Sequence, residues 1–284
     1  MANDTFANIR VEVLDRANQD SADTAADTYY ATAGRGIVRA HHELCNAHPY
    51  LFLRADPPGV IATVAPLTAG TVQVTGASPN ITFSIAPTPA GTSMVGRKLK
   101  VTGWDEWYRI KTHTAGQQAA VLDTPYNGAD NAAAAYTLFQ DEYSLASDVR
   151  HLVELVVAET GVRIPSMSEE EMQRVYPVPI QGWPPTRYAR IGEAKIRFSH
   201  YPTVARRIEY PYTVIPVDID GASVPLLVPL NWRYVIADGG LFRTFEAMGD
   251  SRGPGAGTLF YAGRELLIAD DNRKRFDLNH FTRR

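Results

Sequence analysis

Residues 30–49 read YATAGRGIVRAHHELCNAHP, and the apolar positions in this stretch decide how the chain can fold. These positions recur at alternating steps of three and four residues, and they are Tyr30, Ala33, Ile37, Ala40 and Leu44. This spacing places them on one face of a helix, as a seam that packs against another helix. Pro49 ends the helix, because proline lacks the donor for the helical hydrogen bond and clashes with the preceding turn.

The residues before this seam also favour helix. Asn3 or Asp4 can cap a first helix, and its apolar residues Phe6, Ile9 and Val13 are three or four residues apart. The helix that carries the seam is expected to begin near Asp23. Because a two-helix hairpin cannot bury its seam alone, it needs further helices from elsewhere in the chain.

Two more helices are predicted after Pro229. Their apolar residues follow helical spacing, and they are Leu230, Tyr234, Leu241, Phe245 and Met248 in one helix and Leu259, Ala262, Leu266 and Ala269 in the other. Gly239-Gly240 weakens the first of these by about 1 kcal/mol per glycine, and the glycine-rich stretch 253–257 is expected to be a loop. We therefore expect the N- and C-terminal pairs to pack together as a bundle.

Between the helical ends, the apolar period changes to two residues. Residues 71–75 and 98–102 alternate apolar and polar side chains, which is typical of strands with one face in water. Further predicted strands are 59–65, 80–85, 106–112, 118–123, 135–140, 150–158, 187–198 and 205–215. Turn-forming residues separate many of them, so the pattern indicates a small antiparallel barrel or sandwich.

A short helix interrupts the strands, because Ser168 followed by Glu171 forms a capping box before Pro177. The sequence therefore predicts an α+β fold, in which a bundle of N- and C-terminal helices carries a large inserted antiparallel β-rich domain. The predicted boundaries are 1–56 for the N-terminal helices, 57–228 for the inserted domain, 229–272 for the C-terminal helices and 273–284 for a basic tail.

The composition excludes several classes of protein. The 28 Lys and Arg residues against 31 Asp and Glu give a net charge of −3, and 45% of residues are hydrophobic. These values exclude a disordered chain and a highly charged nucleic-acid coat. The N-terminus lacks the basic and apolar parts of a signal peptide, and Cys45 is the single cysteine, so we expect a soluble cytosolic product.

One group of residues could bind a metal ion. His41, Cys45 and His48, with His42 beside them, share helical spacing that could face a metal, but zinc needs four ligands or three plus water and no second cluster completes the set. A polar helix end is the preferred interpretation. The sequence therefore predicts that the protein has no metal, no cofactor and no catalytic residue.

Residues 249–254 are similar to the nucleophile segment of trypsin-like proteases, but Arg252 replaces a glycine of that segment. No segment supplies the general base that would activate Ser251, so a loop between helices, with Ser251 as a possible cap, is preferred.

The segment around Trp104 and Trp107 has two possible interpretations. Its aromatic residues and Arg109 could stack on a sugar, or they could be one face of a strand pair packed on a neighbour. The structural interpretation is preferred. The sugar-binding interpretation supports an alternative function, a carbohydrate- or receptor-binding module of a phage tail or baseplate.

The order of segments resembles the head–tail adaptor (connector) proteins of tailed bacteriophages. Residues 143–149, YSLASDV, resemble that family's Tyr-x-Leu-Pro-x-Asp-Phe stretch, with Ala146 in place of proline and Val149 in place of phenylalanine. The other segments that carry the resemblance are Ala40–Leu44, Pro49–Phe52, Val72–Gly76, Val95–Val101, Tyr108–Ile110, Val121–Gly128, Gly182–Tyr188 and Pro229–Trp232.

The resemblance implies a structural virion protein of the neck, made in the host cytoplasm and without enzymatic activity. Such proteins form a homo-oligomeric ring, typically of twelve copies, that binds the portal protein and a downstream tail or nozzle protein. The genomic DNA passes through the ring without sequence-specific binding. In relatives the C-terminal segment reaches the portal, which maps onto the basic tail with apolar anchors. The implied portal contacts are Arg273, Lys274, Arg275, Phe276, Leu278, Phe281, Arg283 and Arg284.

Overall fold

The chain folds into two units in the computed structural model. The structure describes residues 5–18, 28–87, 92–216, 219 and 227–281, with the backbone alone over 277–281. The helical unit comprises residues 1–55 and 213–284, and the β unit comprises residues 56–212. Each unit is described by itself below.

Five helices occur among the described residues, and they are α1 (Phe6–Arg16), α2 (Thr28–Ala47), α3 (Glu169–Val175), α4 (Arg233–Met248) and α5 (Gly253–Phe281). In the helical unit, α4 contacts α1, α2 and α5, and α1 also contacts α2. The bundle of N- and C-terminal helices is therefore confirmed, with α4 as its central helix.

Glycines allow the helices to approach α4 closely. A Cβ atom added at Gly240 would lie 2.7 Å from Ile37 Cγ1, and one added at Gly239 would lie 2.6 Å from the Cβ of Ala40. On α2, a Cβ at Gly36 would lie 2.8 Å from the carbonyl oxygen of Gly240. The glycine pair that weakens α4 by propensity is thus the surface on which α2 packs, and α4 runs through it without interruption.

The seam of α2 is confirmed, because Ala33, Ile37, Ala40 and Leu44 are fully buried. The predicted packing faces of the two closing helices are wrong in part. On α4, Leu230 before the helix and Tyr234 in its first turn are exposed, whereas Leu241 and Phe245 are buried. On α5, the predicted residues Leu259 and Leu266 are exposed, and the buried face consists of Ala256, Phe260, Gly263 and Leu267.

The ends of the helices also differ from the prediction. Thr5 caps α1, with its hydroxyl oxygen accepting a hydrogen bond from the backbone N–H of Asn8, and Asn3 and Asp4 lie outside the described residues. The predicted start near Asp23 also lies outside them. At the other end of the chain, α5 includes the glycine-rich stretch 253–257 that was expected to be a loop.

An unstructured tail from residue 273 is also wrong as far as Phe281, because α5 continues to that residue. Ion pairs between Asp270 or Asp271 and the basic residues one turn later support this continuation.

Residues 213–228, which the sequence assigns to the β insertion, belong to the helical unit. Ile219 and Val228 are buried in the core of that unit, so these two residues pack with the helices.

The strands of the structure are shorter than the predicted ones and more numerous. They are β1 (Gly59–Ala62), β2 (Val72–Val74), β3 (Asn80–Phe83), β4 (Lys98–Val101), β5 (Trp107–His113), β6 (Ala119–Leu122), β7 (Asn131–Ala134), β8 (Tyr136–Phe139), β9 (Glu142–Ser144), β10 (Val149–Leu152), β11 (Leu155–Val157), β12 (Arg163–Ile164), β13 (Ser166–Met167), β14 (Ile180–Gln181), β15 (Tyr188–Ile191), β16 (Lys195–Phe198), β17 (His200–Tyr201), β18 (Arg207–Tyr210) and β19 (Tyr212–Val214). Three of the predicted strands are each two strands, and these are 150–158, 187–198 and 205–215.

The largest sheet has seven strands in the order β7-β2-β3-β6-β5-β4-β8. Its two edges, β7 and β8, are consecutive in the chain and separated by Ala135 alone, so the sheet curls into a nearly closed barrel-like form. Val72, Phe83, Leu99, Ile110 and Leu138 fill its interior and are fully buried. The predicted small barrel is thereby confirmed.

The other strands form two four-stranded sheets, in the orders β1-β18-β11-β12 and β13-β15-β16-β9, and two two-stranded sheets, β10-β19 and β14-β17. Most pairs are antiparallel, as predicted, but β13 with β15 and β14 with β17 are parallel. Ser168 caps α3 as predicted, because its Oγ accepts a hydrogen bond from Glu171 N. Within the described parts of the chain, we find no helix with the length and apolar character needed to cross a bilayer.

The close approach at α4 gives a testable prediction. Gly240→Ala should destabilise the protein, although alanine is the better helix former, because its Cβ would lie 2.7 Å from Ile37 and 3.2 Å from Val13. We expect a loss of about 1–3 kcal/mol in the free energy of unfolding, measured by urea denaturation.

Gly255→Ala is the matched control, because a Cβ there meets nothing within 4 Å and the position is exposed in α5. It should leave the protein as stable or more stable, by up to about 1 kcal/mol. Equal stabilisation by the two alanines would contradict the packing role of Gly240.

Candidate functional site

The outer face of α5 exposes several apolar side chains. Exposed residues recur along it at steps of four and three, and they are Gly255, Leu259, Ala262, Leu266, Ala269, Arg273 and Phe276. Leu259 is 55% exposed, Leu266 60% and Phe276 63%. Between Gly253 and Ala269, the one exposed charged residue is Glu265. Because the opposite face packs on α4, α5 is apolar on two sides, which is typical of a helix that is buried in an assembly.

The C-terminal part of α5 carries the first four predicted portal contacts. Arg273 and Lys274 are exposed, and their side chains lie 2.9 Å and 2.7 Å from the carboxylate oxygens of Asp270. Hydrogen bonds from Lys274 and Arg273 hold the pKa of Asp270 below its ordinary value. These two cations are therefore partly neutralised on the helix itself, while Phe276 beside them is an exposed apolar side chain.

Arg275 has a structural role that the sequence did not reveal. Its side chain donates to Asp271 Oδ2 at 2.7 Å and also to the carbonyl oxygen of Pro49. Asp271 is nearly buried and accepts further hydrogen bonds from His48 Nε2 at 3.0 Å and from Leu51 N at 2.7 Å. This pair therefore ties α5 to the end of α2, and Arg275 is an anchor within the unit rather than a free contact.

The remaining predicted contacts are not positioned. Leu278 and Phe281 lie on the helical backbone of α5, with side chains outside the description, and Arg283 and Arg284 lie outside the described residues.

The β unit contains a buried charge cluster, defined as Lys98, Arg109, Asp141, Glu142 and Arg197. Lys98 Nζ lies 2.7 Å from Asp141 Oδ2 and 3.2 Å from Glu142 Oε1, and Lys98 is 1% exposed. Arg197 Nε lies 3.0 Å from Asp141 Oδ2, and Arg109 lies 2.5 Å from Glu142. Lys98, Arg109, Glu142 and Arg197 line a cavity of about 430 Å³, and the cluster joins β4, β5, β9 and β16.

The alternation of polar and apolar residues over 98–102 predicts that the side chain of Lys98 faces solvent. This prediction is wrong. The burial pattern of β4 shows Lys98, Leu99 and Val101 all buried. The carboxylates of Asp141 and Glu142 replace the water that a lysine normally requires. The adjacent acidic pair at 141–142 was the available signal, but alternation alone cannot show which strand it faces.

Both tryptophans of the possible sugar-stacking surface have contacts within the fold. Trp104 packs against the barrel core and donates from Nε1 to Asn127 Oδ1 at 3.0 Å. Trp107 donates to the carbonyl oxygen of Pro177 at 3.3 Å, and Lys98 Nζ lies 4.3 Å from its ring centroid. These contacts favour the structural interpretation of both residues.

His48, which follows the end of α2, does not join His41 and Cys45 in one cluster. His41 and Cys45 are buried side by side, with 3.6 Å between Nε2 and Sγ, while His48 binds Asp271. Among the residues that the structure describes, no three His, Cys, Asp or Glu side chains are grouped as a metal site would require.

The protease-like segment is the connection between α4 and α5. Asp250 rather than Ser251 organises this turn, because its carboxylate accepts hydrogen bonds from the backbone and the side chain of Arg252.

The chain matches a known protein family. A sequence model described as SU10 adaptor protein matches residues 112–277, which is more than half of the chain. The match spans α3, α4 and most of α5. No curated protein matches the chain.

The charge cluster predicts a large effect on stability. Asp141→Ala would leave Lys98 and Arg197 buried without their shared carboxylate, and removing one partner of a buried ion pair costs about 3–5 kcal/mol. We expect a loss of this size in the free energy of unfolding, measured by urea denaturation. Glu193→Ala removes an exposed carboxylate from the same unit and should change stability by less than about 0.5 kcal/mol. A small effect of Asp141→Ala would show that the cluster is hydrated in solution.

Proposed function

Because the chain belongs to the SU10 adaptor protein family, a family of phage adaptor proteins, we propose that it acts as a head–tail adaptor. In this role it forms a homo-oligomeric ring that binds the portal, connects it to a downstream tail or nozzle protein and extends the DNA channel. It is a structural component of the virion neck and has no catalytic function.

The observation that carries this proposal is the two-sided apolar character of α5. One side packs on α4 through Phe260 and Leu267, and the other exposes Leu259 and Leu266 at the spacing of a helix–helix seam. An exposed apolar stripe of this length is a cost for a free monomer and is typical of a surface covered by another protein. We infer that the stripe is buried when the ring assembles at the neck.

The end of α5 provides portal contacts of two kinds. Arg273 and Lys274 offer exposed charge, and Phe276 offers an apolar anchor in the same stretch of helix. Charged residues at an interface favour specificity and fast association, whereas a large buried anchor supplies affinity. Arg275 is excluded from this set because it holds Asp271 and the end of α2 in place.

The charge of the protein suits a channel through which DNA moves. DNA affinity is dominated by neutralisation of phosphates, and a net charge of −3 opposes that neutralisation. The proposed channel wall therefore lets the genome pass without holding it.

The proposal predicts rings in the presence of the portal. Purified chain mixed with the portal protein of the same phage should form a closed layer on the portal, visible by electron microscopy, with several adaptor copies per portal by mass photometry. Chains that stay monomeric and do not bind the portal would refute the adaptor role.

The role of the end of α5 can be tested separately. The triple variant Arg273→Glu, Lys274→Glu and Phe276→Ser should weaken portal binding more than about tenfold, because it reverses the charges and removes the anchor. Its thermal stability should be only slightly reduced, because all three side chains are exposed and surface ion pairs such as those of Arg273 and Lys274 with Asp270 contribute about 1 kcal/mol or less.

Lys111→Glu is the matched control, because Lys111 is an exposed cation of the β unit. It should bind the portal normally. If the triple variant binds the portal as tightly as the original protein does, the portal contact lies elsewhere on the protein.

A further inference from the structure

A groove with an unusual charge distribution lies between α1 and α2 of the helical unit. Its volume is about 530 Å³, and apolar side chains from Phe6, Tyr30 and Val38 form much of its lining. The charged residues that line it are Arg10, Arg35 and Arg39, and no carboxylate is among its lining residues. The groove therefore combines apolar area with three positive charges.

None of these three arginines forms a direct ion pair among the described residues, although, alongside the hydrogen bond from Arg243, the charge of Arg39 contributes to lowering the pKa of Glu246. Arg10 lies over the ring of Tyr30, 3.8 Å from its centroid, and Arg35 donates to the hydroxyl oxygen of Thr32 at 3.3 Å. The unit pairs other arginines directly, since Arg16 binds Asp238 and Arg243 binds Glu43.

The complementary charge occurs on α3 of the β unit. Residues 169–171 are three consecutive glutamates, and the sequence contains no other run of three acidic residues. All three are exposed and form no ion pair with a described cation, but Glu169 accepts a hydrogen bond from Gln173 Nε2 and lines the cavity beside the charge cluster, so Glu170 and Glu171 offer the freer carboxylates. Val175, one turn after Glu171, is 50% exposed, so the helix presents carboxylates together with an apolar side chain.

We propose that the groove between α1 and α2 of one copy receives α3 of a second copy. The inference rests on the proposed ring and names the contact that joins its subunits. Arg35 and Arg39 meet the carboxylates of Glu170 and Glu171, and Val175 faces the apolar lining of the groove. Because each copy offers one groove and one α3, the contact is heterologous, which is the kind that closes into rings.

The apolar lining makes a protein segment the better occupant than nucleic acid. Phosphate recognition needs basic groups but gains nothing from a floor of Phe6, Tyr30 and Val38, which an apolar side chain can fill. Arg10 is already stacked on two aromatic rings, so Arg35 and Arg39 supply the freer charges. They are one helical turn apart on α2 and can bind carboxylates from one short helix.

Charge reversal tests the pairing with the full chain. The groove variant carries Arg35→Glu and Arg39→Glu, and the α3 variant carries Glu170→Lys and Glu171→Lys. Each should assemble at least about tenfold more weakly than the original protein, because like charges would face each other. Assembly is measured by mass photometry and electron microscopy, in solution and on the portal, with fold and melting temperature checked by circular dichroism.

Recombining the two changes gives the decisive result. An equimolar mixture of the two variants, and a single chain carrying all four substitutions, should both recover assembly, because opposite charges face each other again. Arg54→Glu and Glu193→Lys, at exposed positions of the two units, are the matched controls and should assemble normally.

The outcomes separate this inference from the proposed function. If the original protein forms portal-bound rings and the two reversed variants do so equally well, the groove contact is refuted and the adaptor role stands. If the reversed variants fail and the four-fold variant does not recover, the groove binds another acidic segment and the pairing with α3 is refuted. If Arg35→Glu and Arg39→Glu leave the rings intact but abolish binding to a labelled DNA duplex, the groove is a nucleic-acid site instead. Absence of any ring would refute both proposals.

Discussion

The helical unit depends on how closely two helices can approach α4. Gly36 on α2 and Gly239-Gly240 on α4 remove the side chains that would keep the helices apart, and Ala40 and Phe260 occupy the space next to Gly239. Because α4 is covered in this way by residues from both ends of the chain, neither terminal segment can form the core alone. The same constraint leaves α5 in contact with α4 on one side only, which is why its outer face is available to another molecule.

The sequence predicts the parts of this fold that follow a single period. The seam of α2, the helix capped by Ser168 and the barrel-like sheet follow from local spacing and capping chemistry. In α5, however, Leu259 with Leu266 and Phe260 with Leu267 are both spaced by seven residues, so periodicity cannot say which pair is buried. The close packing of Phe260 on Gly239 decides it, and that contact joins residues far apart on α4 and α5.

Buried charge is the second feature that local patterns could not predict. Lys98 lies inside the β unit because Asp141, Glu142 and Arg197 arrive from other strands and satisfy its charge. Likewise, Asp270 and Asp271 form ion pairs with basic residues after residue 272. These ion pairs help to continue α5 through the stretch that was expected to be a tail. In both places the partner, rather than the residue itself, determines whether a charge is structural or available for binding.

This distinction identifies the charges that remain for assembly. Most cations among the described residues of the helical unit form ion pairs within it, whereas Arg35 and Arg39 of the α1–α2 groove form none. On α3, Glu170 and Glu171 likewise form no ion pair, and they carry negative charge. A single chain keeps both sets exposed to water, where they contribute little to folding. Placing them against each other between copies would give them a role in orientation, while the apolar face of α5 supplies the larger share of the buried area.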